Sequence, residues 1–189
     1  MSNELERFFT SIKYQYSTDS WLSANVLKVV LNKKEETFDV YINNPEVISY
    51  EEITKLFECA KKGINGEKKC TIKLSYDKVT TKNVLSYLKE IIKALVEKRP
   101  SLITLADNEV KLDDEIIILE ASSKVEELEI KKEAKNIIKA LLKYGLGEFE
   151  VTTELNEDLE QNIKEEIKES KQDDIIVKES VEVTEDSKV

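Results

Sequence analysis

A GxxG sequence flanked by lysines comes nearest in this chain to a recognisable binding chemistry. Glycines let a backbone approach a nucleic-acid strand closely, and lysines neutralise phosphates. In nucleic-acid-binding domains that use such a loop, it joins two helices, whereas here the pattern places it between a helix and a strand. A helix C-cap followed by a turn with solvated lysines is the simpler interpretation. The candidate nucleic-acid residues are Lys61, Lys62, Gly63, Gly66, Lys68 and Lys69.

Aromatic residues near the start of the chain are candidates for a protein interface, because aromatic side chains commonly supply interface anchors. The only tryptophan, Trp21, falls between a helix and a strand, where such a residue more often closes a core. In the Phe8-Phe9 pair, one ring falls on the core face of a helix and the other is free to contact a partner. The interface candidates are Phe8, Phe9, Tyr16 and Trp21.

The sequence does not assemble a catalytic or metal-binding group. Histidine is absent, and Cys59 and Cys70 do not form a CxxC pair, so we expect two reduced thiols. A divalent cation needs several oxygens that converge on one point, whereas neighbouring residues on a strand point to opposite faces. We therefore predict no catalytic, cofactor or metal site, and no enzyme in this stretch. The adjacent acidic pairs are Glu35-Glu36, Asp113-Asp114 and Asp173-Asp174.

Charge is distributed unevenly along the 189 residues, which carry a formal net charge of -10. Residues 154–189 hold 13 acidic and 5 basic residues, a net of -8, so the body is nearly neutral. The length suits one medium domain or two small ones.

No apolar run approaches the roughly 18 residues of a membrane span, and residues 1–10 lack a signal-peptide core. We therefore expect a cytoplasmic protein without membrane contact.

Hydrophobic spacing predicts an α+β fold made of two tandem α-β-β-α-β modules and an acidic flexible tail. The modules cover residues 1–77 and 78–154, and the tail covers 155–189. In the first module, Ser49 and Glu52 predict a capping box at the start of a helix that Gly63 ends. The predicted helices and strands of this module are residues 5–12, 25–31, 37–42, 50–60 and 70–76.

The second module repeats this order. Residues 116–121 are so apolar that we expect both faces of that strand to be covered. The second helix carries an apolar stripe that includes Val125, Leu128, Ile137 and Ile138, and Gly145 ends it. The predicted elements are a helix at 84–96, extended pieces at 102–106 and 109–112, a strand at 116–121, a helix at 125–142 and a strand at 149–153.

Three segments resemble the N-terminal region of a known family. They are Glu6-Arg7-Phe8-Phe9, the strand from Lys28 to Lys34, and the helix and strand from Lys135 to Glu150. These segments look like the first and second N-terminal domains of the PolC-type DNA polymerase III alpha subunit of low-GC Gram-positive bacteria. The resemblance covers about residues 1–160.

The resemblance implies a role in DNA replication. In that family the first module is similar to the alpha-binding domain of the tau clamp-loader subunit, and the second is similar to a type II KH-like fold. Catalysis lies in other parts, so this stretch would attach a DNA-directed DNA polymerase with 3'-5' exonuclease to the replisome. The expected partners are tau or the replicative helicase, with no cofactor. Two alternatives stay open: a KH-like nucleic-acid-binding module, although the second module lacks a GxxG loop, and an unrelated cytoplasmic adaptor.

Overall fold

The computed structural model describes residues 1–34, 36–66 and 68–156, and it shows an α+β fold with two three-stranded sheets. The predicted tail lies outside these residues from position 157 onward. The first sheet and its helices are α1 (Asn3–Ser11), α2 (Thr18–Trp21), β1 (Asn25–Asn32), β2 (Thr37–Glu46), α3 (Tyr50–Lys62) and β3 (Cys70–Lys78). The second set is α4 (Thr81–Lys98), a 3-10 helix (Pro100–Ala106), β4 (Val110–Asp113), β5 (Ile116–Ala121), α5 (Lys124–Lys143) and β6 (Glu150–Leu155).

The two sheets have the same topology. In the first, β2 is central, antiparallel to β1 and parallel to β3. In the second, β5 is central, antiparallel to β4 and parallel to β6. Each parallel pair is joined through a helix, α3 or α5, as a parallel connection requires. Within the part of the chain that the structure describes, no further strand therefore lies beyond the outer strands β1 and β3 of the first sheet.

Local signals set the helix ends. The Ser49 hydroxyl accepts a hydrogen bond from the Glu52 N–H, and Gly63 ends α3 with φ of 88°. The predicted capping box is only half formed, because the Glu52 carboxylate accepts instead from the Ser17 N–H, at 3.1 Å. A complete capping box occurs at α4, between Thr80 and Asn83.

One predicted element has a different conformation. The segment expected to be extended at 102–106 belongs to a 3-10 helix that begins at Pro100. Proline fits the first position of a helix, and Leu102 and Leu105 are spaced by the three residues of one 3-10 turn. Both leucines are buried, so this spacing places them together against the core.

The two sheets share a single hydrophobic core. Tyr144, at the end of α5, lies among the rings of Tyr50, Phe57 and Tyr87, with centroids 5.2 to 5.6 Å apart. The Tyr87 hydroxyl donates a 2.6 Å hydrogen bond to the carbonyl of Ile48, between β2 and α3. Burial raises the pKa of the Tyr87 and Tyr144 hydroxyls well above the ordinary range. These contacts join the second unit to the first through side chains.

Candidate interaction surfaces

The aromatic residues of the first unit form a cluster under α1. The Phe9 ring lies 4.9 Å from Tyr14, 5.1 Å from Tyr16 and 5.0 Å from Trp21, between centroids. The pairs with Tyr14 and Trp21 are edge-to-face, and such pairs contribute about 0.5–1.5 kcal/mol each beyond the buried area. Phe9 and Trp21 have no exposed surface. A partner cannot reach them in the folded chain, which corrects the expectation that these two residues are interface anchors.

Phe8 and Tyr16 have a different environment. Both are partly buried and pack against the core while keeping some exposed surface. Phe8 directly precedes the buried Phe9 in α1, and the centroids of the two rings are 6.1 Å apart. The interface role predicted from the sequence therefore stays a prediction for Phe8 and Tyr16 alone.

The largest uncovered apolar feature of the first sheet is β1. Its side chains Leu27, Val29 and Leu31 are 60%, 56% and 51% exposed, and Val30 is exposed as well. Solvent therefore reaches both faces of this strand, whereas a half-buried strand would expose one. Contiguous exposed apolar surface on an edge strand is a common feature of protein interaction sites.

Two features of the sheet explain the exposure of β1. The register shifts between Val26 and Lys28, so Leu27 is the extra residue of a bulge. Val29 then pairs with Val40, which is buried, so their side chains share one face of the sheet. The helices cover this face at Val40 of β2 but do not extend over Val29 of β1, which is therefore exposed to solvent. On the opposite face, the Lys28 ammonium lies 4.4 Å from the centre of the Tyr41 ring.

The GxxG loop is a closed turn at one end of α3. The Ile64 N–H donates to the Lys68 carbonyl at 2.8 Å, and the Asn65 N–H donates to the Ser11 carbonyl at 3.0 Å. A Cβ at Gly63 would lie 2.7 Å from the Lys68 carbonyl oxygen, whereas Gly66 has no atom within 4 Å of that position. The close approach of the Lys68 backbone therefore requires glycine at position 63. Of the two glycines, only Gly66 leaves space beside its backbone for a ligand.

Exposed lysines surround this turn. Lys61, Lys62, Lys68 and Lys69 are all exposed. Among the residues that the structure describes, none of them forms an ion pair. The Phe38 N–H donates to the Lys69 carbonyl, which places the beginnings of β2 and β3 side by side. This end of the first sheet therefore combines lysines that have no ion-pair partner among the described residues with the end of the uncovered strand β1.

Two buried carboxylates in α5 have structural partners. Glu126 accepts from the Ser122 N–H at 2.7 Å and from the Thr104 hydroxyl. Glu133 lies 2.7 Å from the Arg99 guanidinium and accepts from Asn136. Glu126 therefore joins the start of α5 to the 3-10 helix, and Glu133 joins the middle of α5 to Arg99, the residue between α4 and that helix. The sequence pattern did not indicate either glutamate.

The acidic residues of these pairs that the structure describes form no common site. Asp113 ends β4 and Asp114 lies in the turn that follows, and both are exposed. Glu36 lies in the β1–β2 turn, and Glu35, Asp173 and Asp174 fall outside the described residues. Within residues 1–34, 36–66 and 68–156, no three His, Cys, Asp or Glu side chains are grouped to hold a metal ion. No helix in the same ranges is long and apolar enough to cross a membrane.

The described residues form two packed α+β units with an uncovered edge strand and a lysine-rich turn. The family model for DNA polymerase III polC-type N-terminus II matches residues 86–187. This match covers more than half of the chain, which therefore belongs to that family, and it confirms the resemblance seen in the sequence. No curated protein matches the chain significantly. No solved structure does so either.

Proposed function

We propose that this chain is a non-catalytic N-terminal region of a PolC-type DNA polymerase III alpha subunit. Its role is to attach the polymerase to another replisome protein in the bacterial cytoplasm, either the tau clamp-loader subunit or the replicative helicase. Family membership supports the polymerase assignment. The observation that carries the attachment role is the exposed apolar strand β1 at an open sheet edge.

Strand β1 can bind a protein in two ways at once. Its outer edge pairs with no other strand among the described residues, so an incoming extended segment can bind there by strand addition. Val29 and Leu31 then supply the apolar contacts on the helix-covered face of the sheet. Such binding buries hydrophobic area and depends only mildly on salt.

A matched pair of double variants tests the attachment role. Val29→Lys/Leu31→Lys places two charges on β1, and Val125→Lys/Leu128→Lys places two on the exposed side of α5. All four residues are exposed, so neither variant should unfold the chain. With purified tau or helicase, we expect the β1 variant to lose at least about tenfold in affinity, or ~1.4 kcal/mol.

The α5 variant should bind like the original chain. Equal binding by the original chain and both variants would remove β1 from the interface. If neither replisome protein binds at any salt concentration tested, the attachment role itself fails.

The lysine-rich turn supports a second candidate, a KH-like nucleic-acid-binding module. Four exposed lysines, which form no ion pair with the described residues, would neutralise about four phosphates, giving a slope of log K against log salt of roughly -3 for single strands. Titration of single-stranded DNA at two salt concentrations measures this slope. Binding with that slope, lost on Lys→Glu changes at all four positions, would favour this candidate. The lysines are Lys61, Lys62, Lys68 and Lys69.

We further propose that the chain divides at residues 77–78 into two modules, of which the second is KH-like. The second unit has the order helix, two strands, helix, strand with a short 3-10 helix inserted, which supports this proposal. The shared core means that the modules need not fold separately. Expression of residues 78–154 alone, followed by circular dichroism, would show whether the second module is stable without the first.

A further inference from the structure

The opposite edge of the first sheet borders a groove of about 450 Å³ between β3 and α5. Its floor is apolar and includes Phe57, Ile72 and Leu142. Four exposed lysines, from α3, β3 and α5, line its walls, and no acidic residue lines it within the described part of the chain. The four are Lys61, Lys73, Lys139 and Lys143.

The positive charge of this groove has no counterion in the described residues. None of its four lysines takes part in an ion pair there. The Lys143 ammonium lies over the Phe57 ring, 4.8 Å from its centre. Burial, followed by repulsion from Lys61, holds the pKa of Lys143 below its usual range. A carboxylate brought into the groove would relieve this repulsion.

The backbone of β3 adds hydrogen-bonding capacity along the groove. Residues 70–74 line it consecutively, and β3 is an outer strand whose one pairing among the described strands is with β2. Alternate N–H and C=O groups of an outer strand point away from its partner. Gly145 closes one end, because its Cα packs directly against the carbonyl of Leu74. The open length accepts roughly five residues of an added strand.

We propose that this groove binds residues 173–186 of the same chain. This segment contains six acidic residues and one lysine, which complements four lysines on the walls. It also contains five β-branched apolar residues, which suit an extended strand over an apolar floor. They are Ile175, Ile176, Val177, Val181 and Val183.

The connection is long enough for this contact. The described chain ends at Asn156, whose N–H bonds the Ala121 carbonyl just before the start of α5. The groove lies near the other end of α5, whose 20 residues span about 30 Å. Residues 157–172 reach about 50 Å when extended, so they can cover that distance. A tether of this length gives a local concentration in the millimolar range, which favours binding within one chain.

Hydrogen exchange of the full chain, read by mass spectrometry, tests the contact. Two variants of equal charge are compared, Lys139→Glu/Lys143→Glu in the groove and Lys89→Glu/Lys93→Glu on the exposed side of α4. We expect amides at 70–74 and 173–186 to exchange about tenfold faster in the groove variant than in the original chain. The α4 variant should match the original chain, and circular dichroism should show all of them folded.

A charge exchange makes the test specific. Adding Glu182→Lys and Glu185→Lys to the groove variant should restore slow exchange at both segments. Unchanged exchange in the groove variant, or no recovery on charge exchange, would overturn the proposal. Protection that grows with protein concentration would also overturn it, by showing that the segment comes from another copy. Because no partner is present, these outcomes are independent of the attachment role of β1.

Discussion

Gly145 provides the most direct test of the packing between the two units, because Gly66 is its natural control. Both glycines have positive φ, 78° and 81°. An alanine pays about 1–2 kcal/mol for that conformation at either place. At Gly145 the new Cβ would also lie 2.7 Å from the main-chain oxygen of Leu74, whereas at Gly66 it would meet no atom within 4 Å.

The difference in unfolding free energy between the two variants measures only the effect of the close contact between position 145 and the Leu74 backbone. Displacing a strand backbone by a few tenths of an ångström costs on the order of 1–3 kcal/mol. We therefore expect Gly145→Ala to lower the free energy of unfolding by about 2–5 kcal/mol and Gly66→Ala by about 1–2 kcal/mol. Against a typical total of about 5–15 kcal/mol, the first change is severe.

Urea unfolding followed by two probes gives both the magnitude and the cooperativity. Trp21 fluorescence reports on the first unit, and circular dichroism reports on both units. Coincident transitions in Gly145→Ala would show that a change after α5 destabilises the first unit as well. Equal losses for the two alanine variants would refute the close packing of Gly145 on β3.

Three further predictions follow from burial and composition. Ile137 is buried and Ile138 is only partly buried, so urea unfolding should show a loss of several kcal/mol for Ile137→Asp and a clearly smaller loss for Ile138→Asp. Burial raises the pKa of Tyr14 from 10.0 to about 12, so its stabilising contribution is complete below pH 10 and is lost as pH rises toward 12. Unfolding curves measured between pH 9 and about 12 should therefore show falling stability, and an increase would contradict the raised pKa. The purified chain should neither extend a primed template nor degrade DNA, and either activity, persisting in variants of its acidic pairs, would contradict the non-catalytic assignment.

The sequence predicted where helices begin and end better than it predicted which of their faces are buried. Caps at Ser49, Gly63 and Gly145 marked real helix ends because they depend on neighbouring residues alone. The apolar stripe of α5 was assigned partly to the wrong side, since Val125 and Leu128 are exposed. The inward face instead carries the two glutamates whose hydrogen-bond partners lie elsewhere in the chain, and such partners are invisible to periodicity.

It was equally hard to predict from the sequence which faces of the strands are buried by other elements. Residues 116–121 suggested a strand covered on both faces, whereas Ile116 is exposed and Ile118 is partly buried. In β1, the run of apolar residues gave no hint that the strand lies at an open edge, because strand order depends on contacts distant in sequence. Apolar residues on both faces of one short strand were the one available signal, and they fit a buried strand as well.

The tyrosine contacts between the units have a mechanical consequence. Tyr144 lies among rings from α3 and α4, and Gly145 rests on β3, so α5 is held at its end by the first sheet. A force applied at β1 would therefore reach α5 through the contacts of Tyr144 and Gly145 as well as along the chain between the sheets. We expect these contacts to limit rotation of one unit against the other, so that a partner bound on one side also orients the other side.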